Sequence, residues 1–371
     1  MKRLSLLFTA LFSVLFFSCD RNKVEPYQGI SMRLLPNVSY TESKPESAVK
    51  ADFSYTTEPM KLYFYGVTPD EDYPFKVEFP QDASQYRAAY LTYTMCGWNE
   101  GPAEWDMTTI VRIKNKKDGK WYEFARAFTP YGWDFGPDWE KTYYMNITEF
   151  LPLMEGSTDF SLYYCGWDNT DKRAHALKLG FDFYKGIPER KTIFTAKVYD
   201  SHEGSMPAYR RCWPYGVEGW DIEDESRLGE RKISIPAGVR SAEVRVDITG
   251  HGMDPGFFPD RYVKQANNAA EFDSQTYRVK FNGVELKQTG YVFEPNSDNY
   301  PQAGTYRYDR AGWGPGKPAN VHYWVIENIP ENGAEITLDI DFERFVSKIN
   351  NADHDSNAYY IISADIYGFD K

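Results

Sequence analysis

From residue 60 onward the chain is written in short runs that alternate Val, Ile, Tyr, Phe and Thr with polar residues, cut repeatedly by Gly, Pro, Asp and Asn. A period of two over five to nine residues is the signature of a half-buried strand, and helical periodicity is almost absent. The runs 88–94, 108–114, 121–128, 160–164 and 177–184 predict one set of strands. After Gly186-Ile187-Pro188, the runs 193–199, 231–235, 241–249, 275–281, 334–342 and 359–367 predict a second. Asp118-Gly119 and Asn282-Gly283 supply tight hairpin turns, because both dipeptides accept positive φ. One short helix is expected at 148–154. Many short strands with little helix predict an all-β chain of two adjacent antiparallel jelly-roll sandwiches, residues 58–188 and 189–371, with a cleft between them.

The first 57 residues read differently. Lys2 and Arg3 precede an apolar run, 4–17, that is too short to span a membrane and has the charge pattern of a secretion signal. Ser18-Cys19 resembles a lipoprotein processing site. Residues 1–18 are therefore expected to be a signal peptide, with lipidation at Cys19 and export to the periplasm or the outer cell surface. A soluble secreted protein is the alternative. Residues 19–57 are polar and interrupted by Pro26, Pro36 and Pro45, and are expected to be a tether and lead-in.

With 371 residues the chain can build two ordinary cores. Its net charge of -12 argues against a nucleic-acid partner, which needs clustered Lys and Arg. Aromatic residues make up 17%, more than packing demands, and the surplus suits sugar-stacking surfaces as well as strand cores. The five histidines show no ligand spacing, and no phosphate-binding, zinc or serine-nucleophile motif is present. The acidic run 218–230 reads as a solvated loop. No metal and no cofactor is implied, and a monomer is expected.

Cys96, Cys165 and Cys212 remain once Cys19 is set aside, an odd number in an oxidising compartment. Cys96-Gly97-Trp98-Asn99 and Cys165-Gly166-Trp167-Asp168 look alike, and both follow strand-like runs. Either a Cys96–Cys165 bridge or two buried free thiols fits this pattern.

Three stretches carry the functional signal: Glu104-Trp105-Asp106, Ala270-Glu271-Phe272, and Tyr308-Asp309-Arg310-Ala311-Gly312-Trp313 followed by Pro315-Gly316. Together with Lys114-Asn115-Lys116, Trp121-Tyr122-Glu123, Thr129-Pro130-Tyr131 and Asn282-Gly283, their order and spacing resemble the peptide-N-glycosidase F family. The resemblance runs from about Phe79 to the C-terminus. Its members are amidases that cut between an Asn side chain and the first GlcNAc of an N-glycan. The resemblance implies two catalytic carboxylates, Asp106 and Glu271, one from each domain. It further implies that Arg310 binds the core sugars or steadies the charged site, and that Trp105, Trp167 and Trp313 are stacking walls; His251, the one histidine close to a site segment, is a further candidate for substrate contact. The chemistry suits the residue types: amide hydrolysis needs an activated water, a polarised carbonyl and a protonated leaving nitrogen.

The chain also departs from the family pattern. Where the family has a third acidic residue in the cleft, Cys165 stands here; Met107 replaces an Arg, and 249–252 lacks a Trp. Disulfide cysteines that flank the second carboxylate in the family are Ala269 and Asp273 in this chain. Two functions follow as expectations: an amidase acting on N-glycosylated proteins or peptides with altered glycan preference, or a surface lipoprotein that binds N-glycans without cutting them.

Overall fold

The computed structural model describes residues 29–35, 39–62, 73–166, 168–200, 228–252, 271–272, 274–342 and 359–371. Among these, eighteen strands form four antiparallel sheets. Numbered in chain order, the first sandwich pairs a sheet ordered β2 (Phe53–Thr56), β10 (Arg173–Lys185), β5 (Tyr86–Asn99), β8 (Glu140–Asn146) with one ordered β4 (Tyr73–Glu78), β9 (Ser157–Tyr164), β6 (Thr108–Lys114), β7 (Trp121–Phe128). The short β3 (Met60–Lys61) lies beside β10. The second sandwich pairs β1 (Ser31–Leu34), β16 (Val321–Glu327), β13 (Ser241–His251), β18 (Tyr359–Phe369), β11 (Thr192–Tyr199) with β12 (Arg231–Ile235), β17 (Ala334–Phe342), β14 (Gln275–Phe281), β15 (Val284–Val292). The all-β, two-sandwich jelly-roll plan expected from the sequence is the plan observed.

Local sequence explains the elements. In β14, Gln275, Tyr277, Val279 and Phe281 are buried while Thr276, Arg278 and Lys280 are not, which is the period-two pattern of a strand with one wet face. Asn282 and Gly283 both take positive φ, 51° and 75°, so the turn into β15 is the tight hairpin their sequence predicts. The predicted short helix is a single 3-10 segment, Thr148–Leu153. Each sandwich closes over its own core. Leu91, Val111, Phe124, Phe160 and Phe181 join the two sheets of the first, and Val246, Ile248, Val279, Leu338 and Ile362 those of the second.

The lead-in is not a tether where the structure describes it. Ser31–Leu34 adds an edge strand to the second sandwich by pairing with β16, and Phe53–Thr56 adds one to the first by pairing with β10. This segment therefore ties both sandwiches together. β18 does the same from the other end, with Ile362 and Ile366 in the second core and Tyr367 and Phe369 packed into the first. Residues 1–18, expected to be a signal peptide, and Cys19 lie outside the described residues.

The sandwiches meet through charge. The pairing of β7 with β6 shifts register beside Phe124, so Glu123 and Arg126, three apart, reach the same side and form a bidentate ion pair at 2.7 and 2.8 Å. Arg126 also donates to Thr249 Oγ1 of β13 and the Ile361 carbonyl of β18, both at 2.9 Å, while Ser363 Oγ donates to Glu123. All are buried. This network fixes β7 against β13 and β18, and hence the loops at the strand ends where the site lies.

Candidate functional site

Asp106 sits on the loop between β5 and β6, and its backbone neighbours are fastened on both sides. Thr129 Oγ1 accepts from the Met107 N–H at 2.7 Å and donates to the Trp105 carbonyl at 3.1 Å. His175 Nε2 donates to that same carbonyl at 2.9 Å; burial holds this histidine down at about 3, so it is neutral. The Trp105 N–H donates to Asp168 Oδ2 at 2.8 Å. Asp106 thus has little freedom to choose where it points.

Glu271 and Arg310 come from the second sandwich. Arg310 is bridged to Glu294 by two backbone hydrogen bonds of 2.7 and 3.0 Å, and Ala311 N–H donates to the Glu271 carbonyl at 3.0 Å. The turn that follows needs glycine: Gly312 has φ of 78°, and a Cβ there would lie 2.4 Å from the Ile248 carbonyl oxygen. Buried Asn296 organises the same loop by donating to the carbonyls of Tyr308 and Trp313 at 3.2 and 3.0 Å.

These pieces converge on one guanidinium. Arg310 Nη2 donates to Asp106 Oδ2 at 3.1 Å and Nε donates to Glu271 Oε1 at 3.2 Å, so carboxylates from two sandwiches share one cation. Nη1 donates to the carbonyls of Thr305 and Tyr308, and Nη2 also meets the hydroxyls of Thr305 and Tyr131. Every N–H of the fork is engaged, and the side chain is 0% exposed. This is the geometry of a cation that steadies two carboxylates, with each donor of the fork already committed to the protein.

The two carboxylates remain reachable, with side-chain exposures of 8% for Asp106 and 20% for Glu271. Burial pushes the Asp106 carboxyl up to about 7, against the downward pull of Arg310, with the nearby Glu271 charge adding to the rise. Such a group exchanges protons near neutrality, as a general base should.

The aromatic expectations divide. Trp105 is 40% exposed beside Asp106 and meets Tyr131 edge-on at 6.2 Å, so it offers a face at the site. Trp313 does not. Its ring is 3% exposed, stacked on Phe128 at 4.2 Å and capped by Arg310 at 4.7 Å, with Nε1 donating to the Gly250 carbonyl. His251 stacks on the same pair of rings and bonds to Thr249 Oγ1, and burial holds it neutral. Both are corrected from sugar contacts to packing beneath Arg310. Trp167, Ala269 and Asp273 lie outside the described residues, as do Cys212 and most of 218–230.

Cys165 is near enough to Asp106 for that charge to raise its pKa, although burial is the larger cause; its Sγ accepts the Thr108 N–H at 3.2 Å. Cys96 and Cys165 are both free, so of the two alternatives the pair of free thiols is observed, with Cys96 buried and Cys165 partly so. They belong to different sheets: Cys96 lies in β5 opposite Ala176 and Glu140, while Cys165 follows β9 and packs with Ile110, Tyr163 and Ile361. Tyr131, Thr305 and Asn296 were given no role from the sequence. Tyr131 was quotable within Thr129-Pro130-Tyr131, but nothing local marks a hydroxyl that will meet a residue 179 positions away.

An all-β pair of sandwiches that holds two reachable carboxylates on one buried arginine defines a class: an interdomain acid-pair site suited to hydrolytic chemistry. No family model matches the chain. It is 26% identical over 292 residues to peptide-N(4)-(N-acetyl-beta-D-glucosaminyl)asparagine amidase F of Elizabethkingia miricola, covering 77% of this chain and 75% of that one. The solved structure of PNGase F from Flavobacterium meningosepticum superposes with a TM-score of 0.66 at 22% identity, over 85% of this chain and 96% of that chain. A structure of PNGF-II gives 0.56 at 16% identity, over 85% of this chain and 65% of that one. The chain is thus similar to peptide-N-glycosidase F in sequence over three quarters of its length, and shares its two-sandwich fold.

Proposed function

We propose that the chain hydrolyses the amide linking GlcNAc to an Asn side chain in N-glycosylated proteins or peptides, releasing the glycan and leaving Asp in the peptide. The observation that carries this reading is the Asp106–Arg310–Glu271 bridge across the two sandwiches. Asp106 takes a proton from water as the water oxygen bonds to the amide carbon. Glu271 orients that water and favours departure of the glycosylamine nitrogen, to which the proton is returned as the C–N bond breaks. Arg310 keeps both carboxylates in register and touches no sugar. Trp105 supplies a stacking face, and Trp167 is assigned a second.

Digestion of a denatured glycoprotein followed by mass analysis tests this directly, because only an amidase converts the glycosylated Asn to Asp. Saturable glycan binding without that conversion would instead favour the non-cutting surface protein. The pH dependence is a further expected result. Asp106 acts as a base only when ionised and is held up at about 7, so kcat/KM should climb with pH through that value. At pH 5 it should be on the order of 100-fold below its plateau. A rate flat between pH 5 and 8 would remove Asp106 from the role of base.

We also propose export and lipid anchoring at Cys19, on the strength of the charged, apolar and small-residue pattern that precedes it. Expressed in a bacterium that processes lipoproteins, the chain should partition with membranes, and Cys19→Ser should move it to the soluble fraction. Equal partitioning of both would count against the anchor.

A further inference from the structure

We propose that Asp168 is the positioning residue for the Trp105–Asp106 segment, gripping its backbone and so setting where the Asp106 carboxylate stands in the site. This rests on the function proposed above. Asp168 Oδ2 accepts the Trp105 N–H at 2.8 Å. Its other oxygen, Oδ1, is buried and has no hydrogen-bond partner among the described residues. The residue as a whole is half-buried, with one oxygen committed to the Trp105 N–H and the other shielded from water.

What it holds is the residue next to Asp106. The Trp105 backbone is fastened at its carbonyl by Thr129 and His175, both neutral, and at its N–H by Asp168. Asp168 is the acceptor for the Trp105 N–H, and it reaches across from the chain that follows β9. It is not catalytic, since it acts through the backbone of Trp105. Without it the segment keeps its bonds to Thr129, Gly132 and His175, but the Trp105 N–H loses its acceptor, which frees the Trp105 indole and the Asp106 carboxylate to drift from their set positions.

The test compares full-length wild type with Asp168→Ala and Asp168→Asn, reading hydrogen–deuterium exchange across residues 104–107 and glycan release from a glycopeptide. Asn retains an acceptor oxygen and should keep both exchange and kcat within about threefold of wild type. Ala should speed exchange across 104–107 by roughly tenfold or more while the cores of both sandwiches stay protected. It should also lower kcat on the order of 100-fold with little change in KM, as a misplaced but intact catalytic group does. Unchanged local exchange in the Ala variant would overturn the proposal, as would loss of protection spread over the whole chain. If wild type itself releases no glycan, the amidase reading fails, while exchange across 104–107 still decides whether Asp168 holds the segment.

Discussion

Asp106→Asn is expected to reduce glycan release on the order of 1,000-fold or more, within the range that removal of a general base produces. The side chain keeps its shape, and its amide oxygen can still accept from Arg310 Nη2, which now stands at 3.1 Å from Oδ2. Arg310 also keeps Glu271 as a counter-ion at 3.2 Å. The melting temperature should therefore fall little, and it should rise if the neutral amide relieves the burial that pushes the carboxyl up to about 7. That combination, chemistry lost with folding kept, separates a catalytic carboxylate from a structural one. A parallel measurement of kcat, KM and thermal melting checks it, and a variant that releases glycan at the wild-type rate would sink the assignment. The ascending pH limb should vanish with Asp106 as well.

Much of the fold was legible because strand signals are local. The hairpins at Asp118-Gly119 and Asn282-Gly283 join the predicted strands, and 108–114, 121–128, 231–235, 275–281 and 334–342 match their strands end to end. Seven strands went unread, among them β1, β2 and β3 in the lead-in. β1 is a four-residue edge strand whose partner, β16, lies almost 300 positions away. No period can reveal a partner at that distance, and three prolines made the segment look irregular. β15 went unread for another reason: its inward face, Val284, Leu286, Gln288, Gly290 and Val292, is interrupted by Gln288 and Gly290, so the apolar alternation fades midway. The interface was hidden more subtly. In β13, Glu243, Arg245, Asp247 and Thr249 alternate with apolar residues as if facing water, yet all four are buried against the first sandwich. Sequence shows that such a face is polar, and only the tertiary arrangement shows that it is dry.

The same limit divides the site residues. Asp106, Glu271 and Arg310 were named from motif order and do meet, but burial determined what Arg310 does there. Its donors face two carboxylates, two carbonyls and two hydroxyls, leaving none for a ligand. Trp313 and His251 were named for proximity to the motif, and they are close; they serve as the floor under the guanidinium. A tryptophan in a motif reads alike whether its ring faces a sugar or an arginine. Trp105, with an exposed ring, and Trp313, with an enclosed one, could be told apart only once neighbouring strands were in place.

Arg310→Met should be the most destabilising single change in the site, costing about 3–5 kcal/mol near neutral pH, because it leaves two carboxylates in a poorly solvated crevice with no counter-charge. Methionine fills much of the same volume and can still pack on Trp313 and Phe272, which bracket the guanidinium at 4.7 and 5.0 Å, so the loss reports charge rather than a cavity. The pH dependence distinguishes this cause from any packing defect. In wild type the Asp106 carboxyl titrates higher in the folded state, about 7, than a free Asp at about 3.9, so the folded protein binds more protons between those values. Stability from this group therefore falls as pH rises through that window. Removing Arg310 takes away the largest influence that pulls the carboxyl down, so the folded pKa rises further and the window of lost stability extends upward. Urea unfolding of both proteins should show a larger gap at pH 8 than at pH 5, where a proton can substitute for the missing guanidinium. An equal gap at both values would mean that Arg310 stabilises the crevice by shape, and that the two acids do not depend on its charge.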